Sequence, residues 1–212
     1  MELLSPSPKD TLLDCGCGTG DWTMLFARTG AKIYAIDRSN SAIEVLHRRL
    51  DRFGLHAELH CGDITKMPYP NRTFTKVFGS MILHHMKDFQ AVGRELGRVL
   101  QSGGKAVFWE NSANNPILMF ARNYIVGRYG IPKFGDYEEH PLRRSSIETM
   151  AAEIGHFKIY FNQCVFFRVF DVYITRGKWK PVTDLCYALD RLMWKTPLRR
   201  FGYLQIVEFQ KQ

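Results

Sequence analysis

No stretch of this sequence reaches the roughly 18 uncharged apolar residues that a helix needs to cross a bilayer. Its richest apolar run, Cys164 to Phe170, is broken by Arg168, so a spanning helix is not expected. Cysteine is sparse. The five residues Cys15, Cys17, Cys61, Cys164 and Cys186 are odd in number and irregular in spacing. No disulfide framework, zinc site or other metal site is expected, and the reading is a reducing, cytoplasmic compartment. The opening segment, Met1 to Asp10, carries an acidic residue and two prolines before any apolar run, which is not the pattern of a secretory signal. Internal repeats and low-complexity segments are absent, which argues against solenoids and linkers. Acidic residues are outnumbered, 21 against 29 Lys and Arg, for a formal charge of +8. Anionic partners follow from that balance: nucleic acid, an acidic membrane surface, or an acidic small molecule.

What is present is enough for one α/β domain. Apolar residues make up 45% of the 212 and charged residues 24%, an ordinary ratio for a chain with a buried core. The first 110 residues alternate short apolar runs with helical patterns, the mark of βαβ units around a parallel sheet. Strands are expected at Thr11–Cys15, Lys32–Ile36, His56–His60, Phe74–Ser80 and Lys105–Trp109. Helices are expected at about Asp21–Arg28, from Ser39 as N-cap to Phe53, and at about Asp88–Leu100. Within the second helix Ala42, Ile43, Leu46 and Leu50 share one face. The loop Thr65–Asn71 holds two prolines and cannot be helical throughout.

Beyond Glu110 the pattern loosens. A helix is expected over Pro116–Tyr129, a glycine- and proline-punctuated loop over Tyr129–Leu142, and a helix from Ser145 or Ser146 to Ile154. A sixth strand is expected at Phe157–Phe166 and a last one at Tyr203–Phe209, with a partly helical insertion over about 167–200 between them. The whole chain, 1–212, reads as a single domain, with 1–110 as its nucleotide-binding half and 111–212 as its substrate side.

The chemistry starts in Asp14-Cys15-Gly16-Cys17-Gly18-Thr19-Gly20. This D-x-G-x-G-x-G run follows a strand and opens a helix, where glycines permit positive φ and close approach of a ligand to the backbone. A dinucleotide loop would read G-x-G-x-x-G. Counted from Gly16, its third glycine would fall on Asp21. Two nearby carboxylates also suit a cation better than a pyrophosphate. Asp37 ends the second strand, where a carboxylate can accept both hydroxyls of a ribose, with Arg38 beside it. Gly62-Asp63-Ile64 follows the third strand, and Phe78-Gly79-Ser80-Met81-Ile82-Leu83-His84-His85-Met86 the fourth.

In this order and spacing the run resembles class I S-adenosylmethionine-dependent methyltransferases of the small-molecule type, over about residues 10 to 110. The resemblance implies a Rossmann-like, doubly wound sheet of seven strands, largely parallel with one reversed strand near its end. It implies S-adenosylmethionine as cofactor, held by Asp14, Gly16, Cys17, Gly18, Gly20, Asp37, Arg38, Asp63 and Ile64, with Ser80 near the methionine end. The Leu-His-His segment is frequent in that family, and Ser102-Gly103-Gly104 matches its helix–strand turn. One departure is Thr75, where relatives carry an acidic residue at the start of the fourth strand.

Methyl transfer from a sulfonium is an in-line displacement, so the enzyme mainly positions donor and acceptor and excludes water. A base is needed only for an acceptor that arrives protonated. His85, just past a strand end, is the first candidate for a base or orienting group; His84, Glu110 and the loop residue His140 follow. From Cys164 to Arg200 basic residues and aromatics interleave, which suits a lid, a peripheral contact with a membrane, or an apolar, anionic acceptor. The expected acceptor is a small or lipid-like molecule, methylated on O or C. Nucleic acid is disfavoured: neither an Asn/Asp-Pro-Pro-Tyr/Phe run after the fourth strand nor a Pro-Cys dipeptide is present. A non-catalytic S-adenosylmethionine-binding module and a nicotinamide-dependent oxidoreductase are the other readings.

Overall fold

Alternating apolar runs and capped helices build a mixed seven-stranded sheet in the order β3-β2-β1-β4-β5-β7-β6. The computed structural model describes residues 3–128, 140–161 and 165–212. In chain order the elements are β1 (Thr11–Cys15), α1 (Asp21–Phe26), β2 (Lys32–Asp37), α2 (Asn40–Phe53), β3 (Glu58–Cys61), β4 (Phe74–Ser80), α3 (Phe89–Val99) and β5 (Leu100–Asn111). After them come α4 (Pro116–Tyr124), α5 (Arg144–Ile154), β6 (Gly155–Tyr160), α6 (Phe167–Ile174), α7 (Lys180–Trp194) and β7 (Leu204–Lys211). Pairings β3–β2, β2–β1, β1–β4 and β4–β5 are all parallel.

The chain divides into two units. One holds Met1–Trp109, Ser145–Lys158 and Val207–Gln212; the other holds Glu110–Arg144 and Ile159–Ile206. In the first unit Leu12, Leu13, Asp14 and Cys15 of β1 are all buried, as expected of a central strand covered on both faces. Met24 of α1 and Leu46 and Leu50 of α2 form a cluster with Ala35 of β2 and Cys17. Ser39 caps α2 by accepting from the Ala42 amide at 3.2 Å, and Asp88 caps α3 by accepting from the Ala91 amide at 2.8 Å. Each such bond satisfies an otherwise orphaned helix donor. Helix α3 lies close against α5. A Cβ on Gly93 would stand 2.9 Å from Met150 Cα, and one on Gly97 would stand 2.6 Å from the Glu153 carbonyl oxygen.

Where the acid is absent at Thr75, a carboxylate comes instead from Asp10, the residue before β1. Thr75 Oγ1 donates to Asp10 at 2.9 Å and accepts from the Thr11 amide at 3.1 Å, and Lys76 Nζ lies 3.0 Å from Asp10. Burial alone would raise the Asp10 carboxyl, but bonds from Ser7, Lys76 and Thr75 hold it down at about 2.

Several boundaries depart from the sequence pattern. Strand β5 begins at Leu100, not after the glycines. Phe74 pairs with Leu100 and Lys76 with Lys105, so residues 101–104 bulge within the strand. A Cβ on Gly104 would meet the Gln101 carbonyl at 2.8 Å, which explains a glycine there. Strand β6 starts at Gly155 and ends at Tyr160; residues 162–164 of the expected strand lie outside the described residues. So does most of the expected Tyr129–Leu142 loop. The 167–200 insertion is more helical than its pattern indicates, carrying α6, α7 and the start of a 3₁₀ turn at Pro197–Phe201.

The second unit, taken by itself, is tied by polar groups. Asn115 caps α4 through the Ile117 and Leu118 amides and donates to the Phe201 carbonyl at 2.7 Å. Gln205 donates to the Asn111 and Leu142 carbonyls at 3.3 and 3.0 Å. Helix α6 has no side-chain cap of its own. Asp190 of α7 supplies one: its carboxylate accepts from the Phe166, Phe167 and Arg168 amides and from Arg168 Nε at 2.9–3.2 Å.

Candidate active site

The strand order reverses between β1 and β4, and in open α/β sheets ligands bind beyond the carboxyl ends of the strands at such a point. The register brings those ends level. Asp14 lies opposite Ala35 and Phe78, and Asp37 opposite Cys61. The first unit therefore collects the Asp14–Gly20 turn, Asp37, the Gly62–Ile64 turn and Ser80 at one edge of the sheet.

Asp14 ends inside the protein. Its carboxylate is 2% exposed and accepts from Thr23 Oγ1 at 2.6 Å. Burial, above all, and the nearby charge of Asp37 push its pKa up to about 7, against the opposing pull of the Thr23 hydroxyl. The turn that follows is pinned by the Gly16 and Cys17 amides, which donate to the Ile36 carbonyl at 2.8 and 3.1 Å, and by the Gly20 amide on the Cys17 carbonyl.

The glycines of this turn differ in what they serve. Gly20 is the left-handed N-cap of α1, and a Cβ there would collide with Leu46 Cδ1 at 2.1 Å. A Cβ on Gly16 would meet Ile82 at 2.6 Å. Gly18, at φ +51°, has nothing within 4 Å of its Cβ position. Packing thus requires two of the glycines, and the third borders open space that a ligand can fill. The Cys17 side chain is turned into the core, its thiol pushed up chiefly by burial, so only its backbone is offered to the turn.

Asp37 holds both sides of this space together. Its Oδ2 accepts from the Gly18 amide at 2.8 Å and its Oδ1 from the Ser39 amide at 2.9 Å. Its carbonyl accepts from the Gly62 amide at 2.9 Å, tying in the third turn. There Asp63 Oδ1 accepts from the Thr65 amide and hydroxyl, both at 2.8 Å. The Thr65 amide, first, holds the Asp63 carboxyl below its ordinary value, with burial opposing and Arg38 assisting. Asp63 and Arg38 are exposed, whereas Ile64 is buried.

Past β4 the backbone turns sharply. Met81 takes φ +57° and donates its amide to the Trp109 carbonyl at 2.8 Å. A 3₁₀ turn, Leu83–His85, follows. His84 is buried and His85 exposed, their rings 4.2 Å apart. Ser80 is half-buried at the strand end. Trp22 of α1 sits between Phe78 and Trp109, at 4.9 and 5.9 Å between ring centroids. Glu110, buried, and His140, exposed, belong to the second unit.

Thr23 was not legible as a site residue. Its signal was its place one turn into α1, nine residues after Asp14. Arg49 was missed too; it donates to the Thr19 carbonyl at 2.7 Å and to Asp21 at 2.8 Å, lacing the glycine turn to α2.

Comparison with known proteins places this geometry. Residues 12–104 match the family model of a methyltransferase domain. A demethylmenaquinone methyltransferase of Bacillus mycoides is 29% identical over 159 residues, covering 70% of this chain and 67% of the relative. One from Anoxybacillus flavithermus is 32% identical over 155 residues, covering 69% and 65%. The chain thus spans about two thirds of the length of these relatives. Among solved structures, the YcgJ protein of Bacillus subtilis superposes with a TM-score of 0.70 at 16% identity, covering 100% of this chain and 95% of that one. Geranyl diphosphate C-methyltransferase of Streptomyces coelicolor gives 0.64 at 18%, covering 100% and 78%. The structures share the fold; the family model and the relatives select methyl transfer over the nicotinamide reading of the glycine turn. The chain belongs to the class I S-adenosylmethionine-dependent methyltransferases.

Proposed function

We propose that this chain transfers the methyl group of S-adenosylmethionine to a small, lipid-like acceptor of the quinone kind named in its relatives. The observation that carries the reading is the bond from the Gly18 amide to Asp37, beside the open space at Gly18. A carboxylate so placed is ready to accept ribose hydroxyls, and Gly16, Cys17, Gly18 and Gly20 offer backbone to the rest of the cofactor. Asp14 serves the ammonium group of the methionine end, directly or through water. Its carboxyl is set near neutrality by burial, and a neighbouring cation would draw it back to the ionised form. Asp63 accepts from the adenine amino group, Ile64 packs against the ring, Arg38 flanks it, and Ser80 borders the methionine end.

The bound cofactor supplies an electrophilic methyl on a positively charged sulfur. The chain's own work is to hold the acceptor in line, keep water away and, for a phenolic or carbon acid acceptor, take a proton. His85 is the group proposed for that proton. The second unit contains an apolar cavity of about 490 Å³, walled by Leu118, Ile125, Val126, Val169 and Phe170, with Arg122 and Arg168 among its lining residues. Its volume is in the range of small-molecule sites. A small lipid-like ligand suits such a cavity; the acceptor is proposed to be methylated on O or C.

The test is calorimetry of the full chain with S-adenosylmethionine and with NAD, then turnover with reduced demethylmenaquinone analogues read by mass spectrometry. Binding of the first ligand alone and gain of one methyl by the quinol are expected. NAD binding without S-adenosylmethionine binding would end the reading. Cofactor binding without turnover across quinol, phenol and lipid acceptors would leave a non-catalytic binding module.

A further inference from the structure

The second unit leaves large apolar side chains in water where a globular surface usually does not. On α7, Pro181, Leu185, Ala188 and Leu192 share one outward face, with Leu185 57% and Leu192 64% exposed. Trp179, just before the helix, is 69% exposed, and Leu198, just after it, 52%. The adjoining stripe, about 100° round the helix, with Val182, Cys186, Leu189 and Met193 half-buried and Asp190 buried, packs inward. A helix whose apolar arc runs on from its packed stripe into water is not one that ends its contacts at its own core.

Charge selects what meets the outer face. Over residues 165–206 the acids are Asp171, Asp184 and Asp190. Asp190 is 3% exposed and occupied by the α6 amides and Arg168. Asp171 is 5% exposed and accepts from the Thr175 and Thr183 hydroxyls. The fold has thus drawn two of the three acids inside. Among the described residues of this stretch, solvent meets Arg176, Lys178, Lys180, Arg191, Lys195, Arg199 and Arg200, opposed only by Asp184, itself 3.1 Å from Lys180. The exposed surface is more cationic than the composition indicates.

We infer that α7 and its flanks, Trp179 to Arg200, dock on an anionic lipid surface. The helix lies in the interface plane, with Leu185 and Leu192 in the acyl region and the Lys and Arg side chains at the headgroups. Trp179, just before the helix, suits the boundary between them. A nucleic acid would meet the same cations, but exposed leucines gain nothing on a phosphate backbone, whereas they gain by leaving water for acyl chains. The contact is peripheral: no described helix is long and apolar enough to cross a membrane. The inference is independent of the methyl acceptor's identity.

Co-sedimentation of the full chain with phosphatidylcholine vesicles, with and without phosphatidylserine, tests it. Binding is expected to the anionic vesicles only, with a blue shift of tryptophan emission, and to be lost at about 1 M salt, where the Debye length is about 3 Å. Each cation near such a surface is worth a factor of about five, so Arg191→Glu with Lys195→Glu should weaken binding by more than about twentyfold. Leu185→Ser with Leu192→Ser, at exposed positions that keep the circular dichroism spectrum, should remove the blue shift. Equal binding to neutral vesicles, no binding to either, unchanged binding by both double variants, or retention by single-stranded DNA without vesicle binding each overturns the inference.

Discussion

Thr23 Oγ1 stands 2.6 Å from Oδ2 of Asp14, and both groups are sealed from water. The pair is a carboxyl kept where desolvation opposes its charge, steadied by one hydroxyl. Its folded value, about 7, lies above the ordinary 3.8. The native state therefore holds this proton longer than the unfolded chain does. The stability from that difference is complete below about pH 4 and is lost as pH rises through 7, on the order of 4 kcal/mol at most. Unfolding of the cofactor-free protein by urea should show this decline, and Asp14→Asn should flatten it. Equal slopes for the two proteins would refute the assignment. If the ammonium of the cofactor sits by Asp14, binding near pH 7 should release a proton, read as a buffer-dependent calorimetric enthalpy.

The glycines of the turn separate folding from binding. Gly20→Ala forces a methyl into Leu46 and should lose roughly 1–3 kcal/mol to overpacking, beyond the roughly 1–2 kcal/mol of a left-handed alanine. Gly18→Ala carries only the second penalty, because nothing lies near its Cβ. It should leave a folded protein whose cofactor affinity falls at least about tenfold, as a methyl occupies ligand space. Thermal unfolding and calorimetry on both variants decide this; equal affinity for Gly18→Ala and wild type would move the ligand away from that turn.

Asp37→Ala should weaken cofactor binding by roughly 1–3 kcal/mol, the penalty for unpaired hydrogen-bonding groups. The Gly18 and Ser39 amides lose their acceptor in the same variant. A drop in melting temperature with an unchanged dissociation constant would reduce Asp37 to a structural brace.

Much of this edge of the sheet was readable before any coordinates, because it rests on local chemistry. A turn that needs positive φ must spend glycines, so Gly16, Gly18 and Gly20 stand out. Ser39 and Asp88 mark helix starts because few side chains can cap one. What stayed hidden depends on partners distant in sequence. Cys17 sits inside the glycine motif yet points into the core, a choice made by Leu46 and Ala35. Thr23 has the composition of any helix residue until Asp14 is placed beside it. Ser102-Gly103-Gly104 reads as a turn, but pairing with β4 draws it into β5 as a bulge. Asp190 reads as a solvated helix charge, whereas it is buried under three amides of another helix.

His85 and His84 offer a test of roles, because one ring is exposed and the other buried. His85→Ala should lower turnover about 10²-fold or more if that ring takes the acceptor's proton, with cofactor affinity unchanged. His84→Ala should act on stability first, through the cavity it leaves. Wild-type turnover in His85→Ala would show that the acceptor arrives already deprotonated or needs no base.

The cap that Asp190 places on α6 predicts an asymmetry between two substitutions. Asp190→Ala strips the acceptor from the Phe166, Phe167 and Arg168 amides and leaves the Arg168 guanidinium without its 3.1 Å partner. Breaking a buried pair from one side typically costs about 3–5 kcal/mol. Asp190→Asn keeps one oxygen, enough for the two amides bound to Oδ1, and forfeits mainly the charge on the Arg168 side, so its loss should be clearly smaller. Hydrogen exchange at Phe166–Arg168 is the direct readout, since those amides have this carboxylate in place of a preceding helical turn. Faster exchange in the alanine variant, with partial protection in the asparagine one, is expected. Wild-type protection in Asp190→Ala would mean that α6 finds another acceptor and that the buried acid is not its cap.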